Sequence, residues 1–412
     1  MRILVLSQHF PPEPVVRLRD LTERLVAHGH KVSVLTTFPS YPLGKVYDGY
    51  SMSLRAHHQE LGARITRVAA MPYRGLAASK RMLSYGSFAA TALLLGLLPG
   101  RKPDVIYTYH PPLTTGLIAA LYSQVTRVPF VYDVQDLWPE AIVASGLLQQ
   151  RSLVYRAIRL VEDFVYRRAR FVTVISEGMR RNLLSKGVPA RKIRVISNWG
   201  DPDVYKPEDG TLLREQLGWQ DRFVVMLAGN LGLTHGLETV LDAAETLRSR
   251  HDILFVFVGS GAARDGLVAR AEATGLTNVQ FIEQVPAIEA AKYINASDLM
   301  LVHLKSSTGG EFSVPHRIFS YMLCGKPIIA ASEGSTADLV SNFNCGWSCP
   351  PSDGTALAKL VTCVALDPAD RDSRGRGGLV AAHDTFSRKR LLSQIEQVIA
   401  EAHTRGKGSR KR

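Results

Sequence analysis

Short apolar runs alternate with longer amphipathic segments along nearly the whole chain, and this alternation constrains the fold more than any other feature. "RILVLS" precedes a helical stretch from Val15 to His28, and "KVSVLTT" follows as a strand. "DVIYTY", the helical "LTTGLIAALYSQV" and "FVYDV" repeat the order, as do "FVTVIS", "EGMRRNLLSKG" and "IRVIS". Strand, helix, strand in succession means a parallel sheet with crossover helices. The beat stops at "NWGDPDVYKPEDG", residues 198–210, which has three Asp, two Pro, two Gly and no periodicity. It restarts with "FVVMLAGN", a helix from Gly236 to about Ser249, "ILFVFVG", a helix after Gly261, "VQFIE", "DLMLVHL" and "KPIIAA". The expectation is an α/β protein with two doubly wound domains, 1–200 and 201–385, followed by a closing helix and basic tail over 386–412. A chain of 412 residues is also too long for one ordinary core. Ligands in such sheets sit at the carboxyl ends of strands, and clefts between domains are favoured pockets.

Composition narrows the class. Apolar content of 46% and charged content of 21% describe a globular protein. The net charge is +13, and five of those charges lie in the last nine residues, "TRGKGSRKR". Such a tail is a solvated end, or a contact for anionic lipid at ~1 kcal/mol per basic residue. No helix-turn-helix, zinc finger or aromatic-rich basic stripe is present, so nucleic acid is not an expected partner. Cys324, Cys345, Cys349 and Cys363 are few, late and irregularly spaced. No second Cys/His pair completes a zinc pattern, so reduced thiols, a cytoplasmic setting and no metal are expected. "MRILVLSQHF" suits a first buried strand better than a cleavable signal. "MLSYGSFAATALLLGLLPG", residues 82–100, is marginal for the ~20 residues of a spanning helix. A core helix is the first expectation there. A helix lying on the inner membrane face, with Lys80 and Arg81 at its start, is the alternative.

Several strand ends carry groups suited to an anionic ligand. In "LAGNLGLTHGLETVLDAA", Gly229 and Gly232 loosen the turn after a strand and Gly236 opens a helix. N–H groups at a helix start bind phosphate, and Asn230 and His235 add side-chain donors. The spacing is not the dinucleotide fingerprint, and a plain turn explains it equally well. "VFVGSGAAR" ends a strand with Gly259 and Gly261, which allow close backbone approach. In "FIEQVP", the backbone around Gln284 and Val285 is placed to meet a nucleobase edge. The richest segment is "GGEFSVPHRIFSYMLCGKPIIAA", residues 309–331. Pro315 suits the first turn of a helix, Glu311 lies on the loop before it, and Arg317 falls inside that turn. A cation there is unfavourable beside a positive helix end, and makes sense with a diphosphate in its planar fork. In the first half, "YDVQDLWPE" brings Asp133, Asp136, Glu140 and Trp138 to a strand end. Asp136 reads as a base or acceptor ligand, or as a helix N-cap. His110 in "TYHPPLTTG" and His9, Glu13 and Arg17 in "SQHFPPEPVVR" follow other strands on the same rim.

These blocks together resemble a known family. "GHKVSVLTTFPSYPLGKVYDGY", "PFVYDVQDLWPEAIVASGLL", "VISNWGD", "AGNLGLTHGLETVLDAA" and "EFSVPHRIFSYMLCGKP" look like family 4 retaining glycosyltransferases. The nearest branch is the one of bacterial exopolysaccharide and O-antigen assembly, similar to colanic-acid and N-acetylfucosamine transferases. The resemblance implies the GT-B architecture, two Rossmann-like domains facing across a cleft. It implies a nucleotide-diphosphate sugar on the C-terminal domain, an acceptor on the N-terminal one and no bound metal or other cofactor. It also implies that "RKRLLSQIEQVIAEAH" crosses back to the first domain. The chain departs from the pattern in places. Aligned on Gly325, the relatives' two acids fall on Phe312 and Ser320, and Glu311 stands one position before the first. The usual Arg and Lys of the donor loop are matched by Asn230 and His235, and a usual His by Gln135.

The expected activity is therefore transfer of a sugar, from a UDP-linked donor in the first instance, to a lipid-linked or glycan acceptor with retention of configuration. Arg317, the helix end near Pro315 and the Gly229–Gly236 loop would stabilise the departing diphosphate. Glu311 would hold donor hydroxyls, with Gly259, Gln284, Val285 and Ser320 lining the nucleotide, while His110 and Asp136 orient the partners from the first domain. A sugar-nucleotide epimerase of the same fold and a degenerate membrane-associated scaffold are the alternatives; the first would act without acceptor, the second would transfer nothing.

Overall fold

The computed structural model describes residues 1–73, 75, 78–97, 102–144, 148–306 and 310–408. Gly309 of the motif, residues 98–100 of the apolar stretch and residues 409–412 of the basic tail lie outside them. The chain forms two compact units, Met1–Ile196 joined by residues from Leu392 onward, and Ser197–Leu391.

The first unit is built on β1 (Arg2–Leu6), β2 (Lys31–Thr37), β3 (Arg55–Glu60), β4 (Ala63–Val68), β5 (Val105–His110), β6 (Phe130–Val134), β7 (Phe171–Val174) and β8 (Ile193–Val195). Their order is β3-β4-β2-β1-β5-β6-β7-β8. Every neighbouring pair is parallel except β3–β4, a hairpin that turns at Leu61 and Gly62, both at positive φ. This hairpin is absent from the sequence reading because "RAHHQE" is polar and largely exposed, without the apolar run that marks the buried strands. In β6, by contrast, all five residues are buried.

The second unit carries β9 (Phe223–Ala228), β10 (Ile253–Val258), β11 (Val279–Ile282), β12 (Leu299–His303), β13 (Ile328–Ala331) and β14 (Gly346–Cys349), all parallel, in the order β11-β10-β9-β12-β13-β14. Phe255, Phe257, Leu299, Leu301 and Ile329 pack with Val240, Leu241, Leu357 and Val361 in its core. The chain fills this sheet outward from β9 in one direction and from β12 in the other. The reversal makes β9/β12 the switch point, the place where such sheets receive ligands.

Two helix starts differ from the sequence reading. The helix expected from Gly236 begins at Glu238, after a 3-10 turn over Leu233–His235. The helix expected to hold Pro315 begins at Arg317 with His316 as its cap, so Pro315 sits outside it. In the 82–100 stretch, helix Ala78–Thr91 runs on into a π turn, Ala92–Gly96. Ser84, Phe88 and Ala92 are buried, whereas Met82, Leu83 and Leu94 are exposed. Among the described residues no helix is long and apolar enough to cross a membrane. The last helix, Arg388–Gly408, buries Ile395, Val398, Ile399 and Ala402. Its Glu396 accepts from Arg24 at 2.9 Å and lies 2.8 Å from His28 and 3.3 Å from His30 of the first unit.

Candidate active site

At the switch point the two central strands part. β9 pairs with β10 over its whole length, from Phe223 to Ala228. It pairs with β12 only at Val225 and Met226. Into the gap beyond reaches Tyr321, fully buried, from helix Arg317–Leu323. Its phenol donates to the Ala228 carbonyl and accepts from the Ala228 N–H, both at 2.9 Å. One side chain thus satisfies the backbone groups that a continued strand pair would have satisfied, and it fixes that helix against the end of β9.

Arg317 opens the same helix. Its Nη2 donates to the Asn230 carbonyl at 2.7 Å and lies 3.5 Å from His235 Nδ1. A Cβ on Gly229, at φ +121°, would stand 3.5 Å from the Arg317 Cζ. The structure therefore brings together Gly229, Asn230, His235 and Arg317, with Gly236 closing the loop at φ +65°. Burial first, and then the Arg317 charge, pull the His235 pKa down to about 4. His235 is neutral at pH 7 and brings no charge to the loop.

The other residues expected at the donor site lie in the same unit. A Cβ on Gly259 would fall 2.0 Å from the Gly229 carbonyl oxygen, and one on Gly261 2.4 Å from that of Leu231. At both glycines the missing side chain makes room for the backbone of the neighbouring loop. Gln284 is exposed and accepts from the Ser260 hydroxyl, and Val285 is half-buried beside it. Pro315 is half-buried, and its carbonyl accepts from the Ile318 N–H at 3.1 Å. Ser320 is buried and hydrogen-bonds the Tyr205 phenol, so its hydroxyl is engaged inside the unit. Glu311 is exposed on a 3-10 turn, Gly310–Phe312, and its carbonyl meets Gly334 so closely that no Cβ fits there. Among the described residues no group of three or more His, Cys, Asp or Glu is placed to hold a metal ion.

In the first unit the three carboxylates of "YDVQDLWPE" separate. Asp133, at the end of β6, is inaccessible to solvent and accepts from Arg17 at 2.9 Å, Tyr107 at 2.5 Å, Thr173 at 2.6 Å and Gln135 at 2.9 Å. Glu140 receives Lys186 at 2.9 Å. Glu13 is likewise committed, accepting the Ser40 and Tyr41 N–H groups at 2.7 Å each. Asp136 is half-buried, and burial raises its pKa. Of the three it is the one with no ion pair among the described residues. His110 is buried edge-on to Tyr132 and Trp138, with ring centroids 5.8 and 5.5 Å away. Its Nδ1 has no partner among the described residues. Burial, then the Lys186 charge, pull its pKa down to about 3 from 6.5. Between those values only the unfolded chain takes up the proton, so acid favours unfolding. His110 alone should cost ~1.4 kcal/mol of stability per pH unit as pH falls from about 6.5 towards 3. His110→Phe is expected to flatten this part of the melting-temperature profile. Parallel profiles for the variant and the wild type would show that His110 does not carry it.

Comparison with known proteins agrees with this architecture. Residues 14–199 match the model of the glycosyl transferase 4-like domain, and residues 210–378 that of glycosyl transferases group 1. A probable glycosyltransferase, WbjE of Pseudomonas aeruginosa, is 28% identical over 63% of this chain and 66% of its own. The putative colanic acid biosynthesis glycosyl transferase WcaI of Escherichia coli K12 is 27% identical over 82% of this chain and 84% of its own. Anabaena HepE, solved with UDP and glucose, shares the fold with a TM-score of 0.72 at 21% identity, over 97% of this chain and 99% of its own. The chain belongs to the glycosyltransferases that join a 4-like domain to a group 1 domain, on the GT-B fold.

Proposed function

We propose that the chain transfers a sugar from a nucleotide-diphosphate donor, UDP-linked in the first instance, to a lipid-linked or glycan acceptor of a cell-surface polysaccharide, with retention of configuration. The observation that carries this reading is the Arg317 guanidinium held over a glycine loop at the β9/β12 switch point. As the bond from sugar to diphosphate breaks, negative charge grows on the leaving oxygen, and a fixed cation there stabilises it with little reorganisation. Glu311 holds hydroxyls of the donor sugar, and Asp136 binds or orients a hydroxyl of the acceptor. The acceptor attacks from the face that the diphosphate leaves, since among the described residues no side chain stands out as a separate nucleophile. The polysaccharide setting draws support from the colanic-acid relative, and UDP from the ligand solved with HepE. Lys80 with the exposed Met82, Leu83 and Leu94 suits contact with an anionic membrane surface, where a lipid-linked acceptor would be met.

A thermal-shift panel of UDP, GDP, ADP and TDP tests the donor reading. A ligand at ~100 times its dissociation constant stabilises by ~2.7 kcal/mol, a shift of several degrees for a domain of this size. A shift with one nucleotide is expected, with UDP first. No shift with any of the four, in the presence or absence of acceptor glycans, would overturn the reading.

A further inference from the structure

Two cations stand at the two ends of the 229–236 loop, each against a glycine. Arg317 lies over Gly229 at the first end. At the other, a Cβ on Gly236 would fall 2.6 Å from Cγ and 3.1 Å from Cε of Lys305, and 3.2 Å from Cε1 of His303. Lys305 follows β12 by two residues, and its N–H reaches the Thr234 carbonyl at 3.4 Å. Its side chain is therefore seated on the loop, yet it is exposed and, among the described residues, no carboxylate pairs with it. His303 beside it is 2% exposed. Its Nδ1 bonds the His235 carbonyl, and its Nε2 has no partner among the described residues. A buried nitrogen left unsatisfied needs an explanation, and a ligand that completes the site is one. The loop's own side chains, Asn230 and the neutral His235, supply no charge.

We propose that Lys305 is a second binding cation for the donor diphosphate, acting with Arg317 from the opposite end of the 229–236 loop. This rests on the donor reading above and adds a residue to it. A diphosphate carries more negative charge than one guanidinium neutralises. Arg317 offers a planar fork held in place by Asn230, and Lys305 a point charge on a stem seated against Gly236. The loop thus faces a cation from the segment that follows β12.

The test is calorimetric titration of the full chain with UDP, GDP, ADP and TDP and with their nucleosides, for the wild type, Lys305→Met and Lys305→Arg. Methionine keeps the stem that packs on Gly236 and removes the charge. Lys305→Met is expected to weaken diphosphate binding by about ten-fold or more, leaving nucleoside binding unchanged, and Lys305→Arg to recover most of the loss. Equal diphosphate affinity in the wild type and Lys305→Met overturns the proposal while the donor reading stands. Parallel loss of nucleoside and diphosphate binding also overturns it, because the effect would then be on the shape of the site. A wild type that binds none of the four diphosphates removes the donor reading and the proposal together.

Discussion

Replacing Arg317 by alanine should lower sugar transfer by at least about ten-fold, and loss of transition-state charge stabilisation can reach ~10²–10³. Two effects act in the same direction. The variant loses the guanidinium that the proposed function assigns to the departing diphosphate. It also loses the bond to the Asn230 carbonyl, 2.7 Å long, and the cover over Gly229, so the loop itself relaxes. Arg317→Lys separates the two. It keeps a charge but not the planar fork that spans Asn230 and His235, so it should restore part of the activity at most. Steady-state rates with a competent donor measure both variants. Wild-type turnover in Arg317→Ala would remove Arg317 from the chemistry.

The second large effect is on stability. Arg17 and Asp133 are 5% and 0% exposed and meet at 2.9 Å. Burial works against the Arg17 charge, and the nearby Asp133 and Tyr107 more than offset it, so the guanidinium stays protonated. Removing one partner leaves the other charge buried without compensation, which costs ~3–5 kcal/mol. Asp133→Ala is therefore expected to lower the melting temperature of the first unit by roughly 10 °C. A paired change, Arg17→Met with Asp133→Leu, should recover only part of the loss, because apolar groups replace the ion pair at little cost while Tyr107, Thr173 and Gln135 still lose their acceptor. Circular dichroism melts of the three proteins measure this. An unchanged melting temperature in Asp133→Ala would show that the pair contributes nothing net.

The alternation of apolar runs was enough to anticipate two parallel sheets, because strands buried on both faces leave uninterrupted apolar segments in the sequence. The β3–β4 hairpin left no such trace, since β3 is polar and covers little of the core. At the candidate site, the sequence places a glycine loop after a strand and Arg317 near a helix start, and the structure brings the two together. What stayed hidden are contacts between distant segments. Nothing in "VFVGSG" says that Gly259 makes room for the Gly229 carbonyl rather than for a ligand. Nor does "VHLK" show that Lys305 is seated on Gly236. Nothing around Tyr321 in the sequence says that its hydroxyl closes the end of β9. Asp133 and Asp136 are three positions apart and look alike in sequence. Only the arrangement of Arg17, Tyr107 and Thr173 shows that the first is structural.

The seating of the last helix has a consequence for how the chain is made. The first unit takes Met1–Ile196 and then the residues from Leu392 onward, so 195 residues (391 − 196) are synthesised between its two parts. At ~5–20 residues per second that interval is about 10–40 s. Throughout it, Arg24, His28 and His30 wait for Glu396, and the surface that Ile395 and Ile399 will cover stays open to water. The second unit, later in the chain, has all its residues before the first does. Of the two units, the one that begins first is the later to be completed.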